Sequence, residues 1–375
     1  MAKSTSYGDY KISIEKDGSV IVMIKDEIAI NTKDALRKIA DECDFVYDKS
    51  WNTRLLGKKV VDCIAQNPKF EIIEILSLIA KNIKEESVTK DFSYNLQRAM
   101  INRIFQIESY DICSIMLRLT VIDSLYSTNA SYTYFSIEEM AKAICGLGDE
   151  EQAKEYFASL LSSNDADSKF LFNNEYGIRK NLKPGSGSKQ PSLMSKYAYY
   201  QLLQSPEKYP LGFPIYDSLA IKMYPKVCEV LRIKSKSKSS FIISATSSNP
   251  NICDYIQALD KLRQTIFNND DSLFEGLQQF DILDAYLWRM GKINEGNFSL
   301  LLNRFEYEQL IKNLGLNSDS NPPESNNFNA SVRDRCVRSD TQKITQGLPD
   351  VISKLIEHWK TFYVTKKIAM TKKDD

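Results

Sequence analysis

Residues 191–220 read PSLMSKYAYYQLLQSPEKYPLGFPIYDSLA. Proline fits the first turn of a helix, and the run after it carries no glycine, so a helix is expected from Ser192 or Leu193. Pro206, Pro210, Gly212 and Pro214 then impose a turn. Asp217, just before Ser218, reads as the N-cap of a second helix, SLAIKMYPKVCEVLRI. Helix, proline-rich turn and helix imply a chain built by packing helices together.

Upstream, from Phe70 to about Ser163, the same habit recurs in FEIIEILSLIAKNI, FSYNLQRAMINRIFQI, YDICSIMLRLTVIDSLYS, SIEEMAKAICGL and DEEQAKEYFASLL. Ser136 with Glu139 spells a capping box. Stretches such as ILSLIA are apolar on more than one face, which favours a compact bundle over a solenoid. Downstream, helices are expected from about Asn251 to Asn268, in SLFEGLQQFDILDAYLWRMGKI, and from about Leu348 to Ile368. The segment NLKPGSGSKQPSLMSK is the main glycine and serine punctuation, and GLNSDSNPPESNNFNASVRDRCVRSD reads as a long mobile loop.

At the N-terminus, YKISIEKDGSVIVMIK alternates apolar and polar residues around Asp17-Gly18, a two-stranded hairpin pattern. Helices are expected after it from Asn31-Thr32 and from near Lys58. The reading is a mainly α chain in four parts. Residues 1–68 form a hairpin-plus-helices module, 69–315 a helical domain, 316–345 the loop, and 346–375 a last helix with a basic tail.

Lysine plus arginine equals aspartate plus glutamate at 49 each, so affinity for a polyanion must come from local charge. Seven cysteines without a CxxC pair argue against a disulfide framework or a zinc ribbon and fit a reducing, cytoplasmic compartment. The first residues, MAKSTSYGDYK, lack the apolar core of a signal peptide, and no apolar run approaches the roughly 20 residues that cross a bilayer. His358 is the single histidine, which disfavours triads, Cys-His dyads and two-histidine metal sites. No GxxxxGK[ST] occurs, which disfavours nucleotide hydrolysis. No cofactor or metal is expected.

Charge is nevertheless segregated. From Arg179 to Lys238 twelve basic residues face three acidic ones, a net of +9 that leaves −9 for the rest. Such a window suits phosphate contacts, and Tyr197, Tyr199 and Tyr200 interleave it with rings on which bases could stack; equally, lysine-rich loops are often simply solvated and tyrosines at helical spacing often fill cores. Within it, Lys196 can attack a sugar carbon as a neutral amine, and Asp217 can stabilise the cationic sugar that results. Without further context, Lys196 also reads as an amphipathic-helix lysine and Asp217 as a plain cap.

PSLMSKYAYYQLLQSPEKYPLGFPIYDSLA resembles the active-site region of helix-hairpin-helix DNA glycosylases, in particular bacterial 8-oxoguanine-glycosylase-like proteins of the phage-defence-associated type. In that family a lysine opens the helix after the hairpin, and an aspartate follows about twenty residues later in a short Pro-x-Asp motif; Lys196 and Pro214-Ile215-Tyr216-Asp217 match that order. The resemblance covers about residues 95 to 300. It implies a glycosylase-type helical bundle, duplex DNA as partner, a monomer, a modified base flipped from the stack, Lys196 forming a Schiff base at C1′, and Asp217 assisting departure of the base. It further implies phosphate contacts from Gly185, Gly187, Lys189, Arg179, Lys180 and Lys183, Asn129 filling the gap left by the flipped base, and a base pocket drawn from Tyr126, Tyr216, Asp284 and Trp288. That family's glycines, in a motif close to LPGVG, stand immediately before the lysine helix, whereas here eight residues separate Gly187 from Lys196. Two other readings stay open: a non-catalytic DNA sensor on the same scaffold, and a helical protein whose basic window binds an acidic partner.

Overall fold

The computed structural model of the 375-residue chain describes residues 3–371 except 8–9, 16, 18, 25–26, 43–47, 67, 87–92, 127, 129, 131–132, 163–169, 180–186, 235–251, 268–273, 275 and 317–325. It divides into two units, Met1–Glu74 and Ile75–Asp375.

In the first unit, β1 (Lys3–Tyr7), β2 (Tyr10–Ile14), β3 (Val20–Ile24) and β4 (Glu27–Ile28) form an antiparallel sheet in that order, so the expected hairpin is the centre of four strands. Ile12 pairs with Val22, and period-two alternation sends both to one face, where they are fully buried. That face is covered by α1 (Thr32–Glu42) and α2 (Thr53–Gln66), which contribute Leu36, Ile39, Leu56 and Val60 to the core. Asn31 Oδ1 accepts the Asp34 N–H at 3.2 Å and caps α1. The second helix starts at Thr53, ahead of Lys58, because Asn52 Oδ1 accepts the Leu55 N–H at 2.8 Å and makes an N-cap inside what reads as a connector. Pro68 likewise opens α3 (Pro68–Glu86) instead of closing the module, so the unit boundary falls inside that helix.

The second unit is helical, with α4 (Ser93–Phe105), α5 (Ile112–Tyr126), α6 (Ser136–Cys145), α7 (Glu150–Ser159), α8 (Phe170–Asn173), α9 (Pro191–Leu203), α10 (Ser218–Val230), α11 (Ile252–Phe267), α12 (Gln279–Glu295), α13 (Arg304–Asn313), α14 (Asn326–Arg338), α15 (Thr341–Ile344) and α16 (Asp350–Thr371). A ribbon of β5 (Thr133–Tyr134) and β6 (Ile178–Arg179) joins distant parts of the chain. Ser136 does not cap α6: its hydroxyl bonds to the Ala130 and Thr133 carbonyls, and Glu139 accepts the Gly177 N–H at 2.6 Å. Residues 326–338, expected within a loop, are α14. Its polar sequence hides Phe328, Val332 and Cys336, a buried i, i+4, i+8 stripe. Among the described residues, no helix is long and apolar enough to cross a membrane.

Two helices organise this unit. α9 packs against α4, α5, α7 and α8 and is buried almost all round, from Leu193 to Leu202. α12 packs against α10, α11, α14 and α16. At the α10–α12 crossing, a Cβ on Gly291 would lie 2.7 Å from Leu219 Cβ, an atom held by its own backbone. Gly291→Ala is therefore expected to destabilise the protein by about 1–3 kcal/mol in chemical denaturation, through overpacking.

Candidate functional site

Lys196 sits on the first turns of α9 and is only 3% exposed. Its Nζ donates to Ser192 Oγ at 2.8 Å and lies 5.3 Å from the centre of the Tyr126 ring, at the end of α5. Burial pushes its pKa below the usual lysine value, while the Asp217 and Asp284 carboxyls pull it back up. Lys196, Asp217 and Asp284 thus share one electrostatic neighbourhood although they come from three elements.

Asp217 caps α10, its Oδ1 accepting the Leu219 N–H at 2.7 Å. The turn before it is tied to α9 by Ser195, whose Oγ accepts the Tyr216 N–H at 2.9 Å and donates to the Ser192 carbonyl at 3.0 Å. From the other side, the Tyr255 hydroxyl on α11 donates to the Ile215 carbonyl at 2.5 Å, and its ring meets Tyr216 edge-on at 5.0 Å. The proline-rich stretch therefore reaches Asp217 as a braced strut.

Asp284 projects from α12 and is partly buried. Burial raises its pKa well above the carboxylate range; Asp217 and Asp281 add to that shift, and Lys196 and Arg98 oppose it. One turn away, Asp281, 2% exposed, accepts the Tyr199 hydroxyl at 2.6 Å and pairs with Arg98 Nη2 at 2.5 Å. Arg98, Tyr199 and Asp281 were not legible as a group, since the pair joins α4 to α12 across 183 positions. The one available signal was Asp281 and Asp284 at i, i+3, on one face of α12 within the largely apolar stretch FDILDAYLW.

The other expected residues divide. Tyr126 is in the group, its hydroxyl 2.5 Å from that of Tyr200. Tyr216 adjoins Asp217, and Trp288 lies one turn beyond Asp284 with Lys292 Nζ 5.7 Å from its ring. Gly187 is buried against Glu175 and Tyr176, where an added Cβ would come within 2.8 Å of Glu175 Cβ; packing alone accounts for a glycine there. Lys189 is half-buried. Asn129, Lys180, Lys183 and Gly185, and the side chain of Arg179, lie outside the described residues.

Of the two readings open for Tyr197, Tyr199 and Tyr200, core filling holds and a base-stacking surface does not. They are 0%, 3% and 0% exposed and fill the core, Tyr197 and Tyr200 against Phe105. The +9 window is also partly neutralised: Lys208 pairs with Glu151 and Glu155, and Lys222 with Glu295 at 2.7 Å. A separate cleft of about 440 Å³, lined by Leu314, Ser331, Asp334, Arg335, Arg338 and Ser339, contains none of these residues. Arg335 in it donates to the Leu314 and Gly315 carbonyls, so its charge already serves the fold.

No family model, curated protein or solved structure matches the chain.

Proposed function

We propose that the protein is a DNA N-glycosylase acting on a modified base flipped from the duplex, with Lys196 as the nucleophile and Asp217 stabilising the cationic sugar. The observation that carries this reading is a buried lysine whose ammonium form is disfavoured and which has two carboxyls acting on it. An amine must be neutral to attack, and desolvation is a general way to hold it so at neutral pH. A lysine serving only the fold would be expected to place its ammonium in water or in a full ion pair.

In this reaction the Lys196 amine attacks C1′, the N-glycosidic bond breaks, and its electron pair leaves with the base. Asp217 faces the positive charge that develops on the sugar as that bond lengthens. Ser192 and the Tyr126 ring hold the amine in place, and the Ser195 bridge keeps Asp217 beside it. The chain's similarity to helix-hairpin-helix glycosylases over residues 191–220 supports the same assignment of roles, and with it a part in defence against foreign DNA.

The test is borohydride reduction of the protein with duplexes carrying 8-oxoguanine, other modified bases or a preformed abasic site, with base release measured in parallel. A covalent adduct or released base is expected, with duplex binding that weakens as salt rises. Binding without adduct or release leaves the non-catalytic sensor. Binding that is undetectable at low salt defeats both nucleic-acid readings.

A further inference from the structure

We infer that Asp284 is the proton donor to the departing base, a third reacting group whose role is distinct from those of Lys196 and Asp217. This rests on the glycosylase reading and deepens it. The three groups divide by what already occupies them. Asp217 Oδ1 accepts the Leu219 N–H, so that carboxyl works as an acceptor. Lys196 donates to Ser192 Oγ. Asp284 makes no hydrogen bond or ion pair with any described residue, although it stands in the same group and is partly open to solvent. A carboxyl left without a partner beside two occupied ones is placed to meet a ligand.

Six elements contribute a titratable or charged group that acts on Asp284. Lys196 comes from α9, Asp217 from the cap of α10, Arg98 from α4, Tyr126 from α5, Tyr255 from α11, and Asp281 from its own helix. Arg98 is paired with Asp281 and therefore does little to neutralise Asp284. Burial favours the proton-bearing form of Asp284, and the Asp217 carboxyl adds to that preference. The step then balances. The neutral Lys196 amine forms the bond to C1′ and becomes a substituted ammonium; the N-glycosidic bond breaks; the base takes the bonding pair and the Asp284 proton and leaves neutral; Asp284 is left as a carboxylate beside the new cation. The substrate class that follows is a base that departs poorly as an anion and gains most from protonation.

The experiment uses the full chain and compares Asp284→Asn with the parent on two probes, a duplex carrying 8-oxoguanine and the same duplex with a preformed abasic site. The abasic probe has no base to protonate. The variant is expected to lose base release by at least about 100-fold while its borohydride adduct on abasic DNA stays within about twofold of the parent. In the parent, base release should fall as pH rises through the Asp284 titration, whereas abasic trapping should not. Equal loss on both probes, or unchanged base release, overturns the assignment while leaving Lys196 in its role. If the parent reacts with neither probe, the glycosylase reading fails and this role fails with it. A readout that needs no substrate is the carboxyl carbon shift of Asp284, followed by NMR against the Asp284→Asn spectrum. Titration near the ordinary aspartate value of about 3.9 would leave no proton to give at neutral pH and would also overturn it.

Discussion

On the proposed reaction, Lys196→Gln is expected to abolish the borohydride adduct on abasic-site DNA and to reduce base release on the order of 1000-fold or more, because the group proposed to bond to C1′ is gone. Glutamine is one bond shorter than lysine but keeps an uncharged hydrogen-bonding end beside Ser192 Oγ, which lies 2.8 Å from the lysine amine. Duplex binding should therefore persist, and single-turnover kinetics should show the loss in the chemical step. The variant has a second signature. The Lys196 pKa is depressed in the folded protein, so between the unfolded lysine value of about 10.4 and the lower folded value, the unfolded chain binds more protons than the native one. The parent therefore loses stability as pH falls through that window. Lys196→Gln removes that slope, and a plot of the stability difference against pH would reveal it. A variant that still traps abasic DNA would end the nucleophile assignment.

Asp281→Ala is expected to cost about 3–5 kcal/mol in chemical denaturation, the loss typical of removing one partner from a buried ion pair. Asp281 is 2% exposed and serves two elements at once, accepting the Tyr199 hydroxyl from α9 and the Arg98 guanidinium from α4. Alanine removes the acceptor that holds those helices to α12. Arg98→Met and Asp281→Leu combined with Tyr199→Phe should recover most of the loss, because apolar groups of similar volume carry neither the desolvation penalty of the charges nor an unpaired buried hydroxyl. A single-variant cost below about 1 kcal/mol would mean that the pair is solvated and does not brace the site.

The sequence exposed some of this through strong local signals. The hairpin around Asp17, the helix over residues 191–203 and the cap at Asp217 follow from alternation, proline placement and cap chemistry, all of which act within a few residues. The three tyrosines of α9 could be read either as a stacking surface or as core, because a helix buried on every side carries no polar face from which to tell the two apart. α14 was misread for the opposite reason, since asparagine, serine and arginine outnumber a thin apolar stripe in NNFNASVRDRCVR. The Arg98–Asp281 pair had no local signature, because only the packing of α4 on α12 brings the two together. Lys196 and Asp217 stood out in the sequence as residue types, and only the packing of the helices puts them in one electrostatic neighbourhood. Asp284 was legible only as a pocket residue, since the partners that set its protonation come from α4, α5, α9, α10 and α11.

The missing side chain of Gly291 sets a spacing in that site. Asp217 precedes Leu219 by two residues, Asp284 precedes Gly291 by two helical turns, and Leu219 Cβ would meet any Cβ at position 291 at 2.7 Å. A Cβ at position 291 would therefore strain the crossing of the helix that Asp217 caps with the helix that carries Asp284. On the glycosylase proposal, the spacing between the group that steadies the sugar and the group that protonates the base thus rests on a residue that has no functional group of its own.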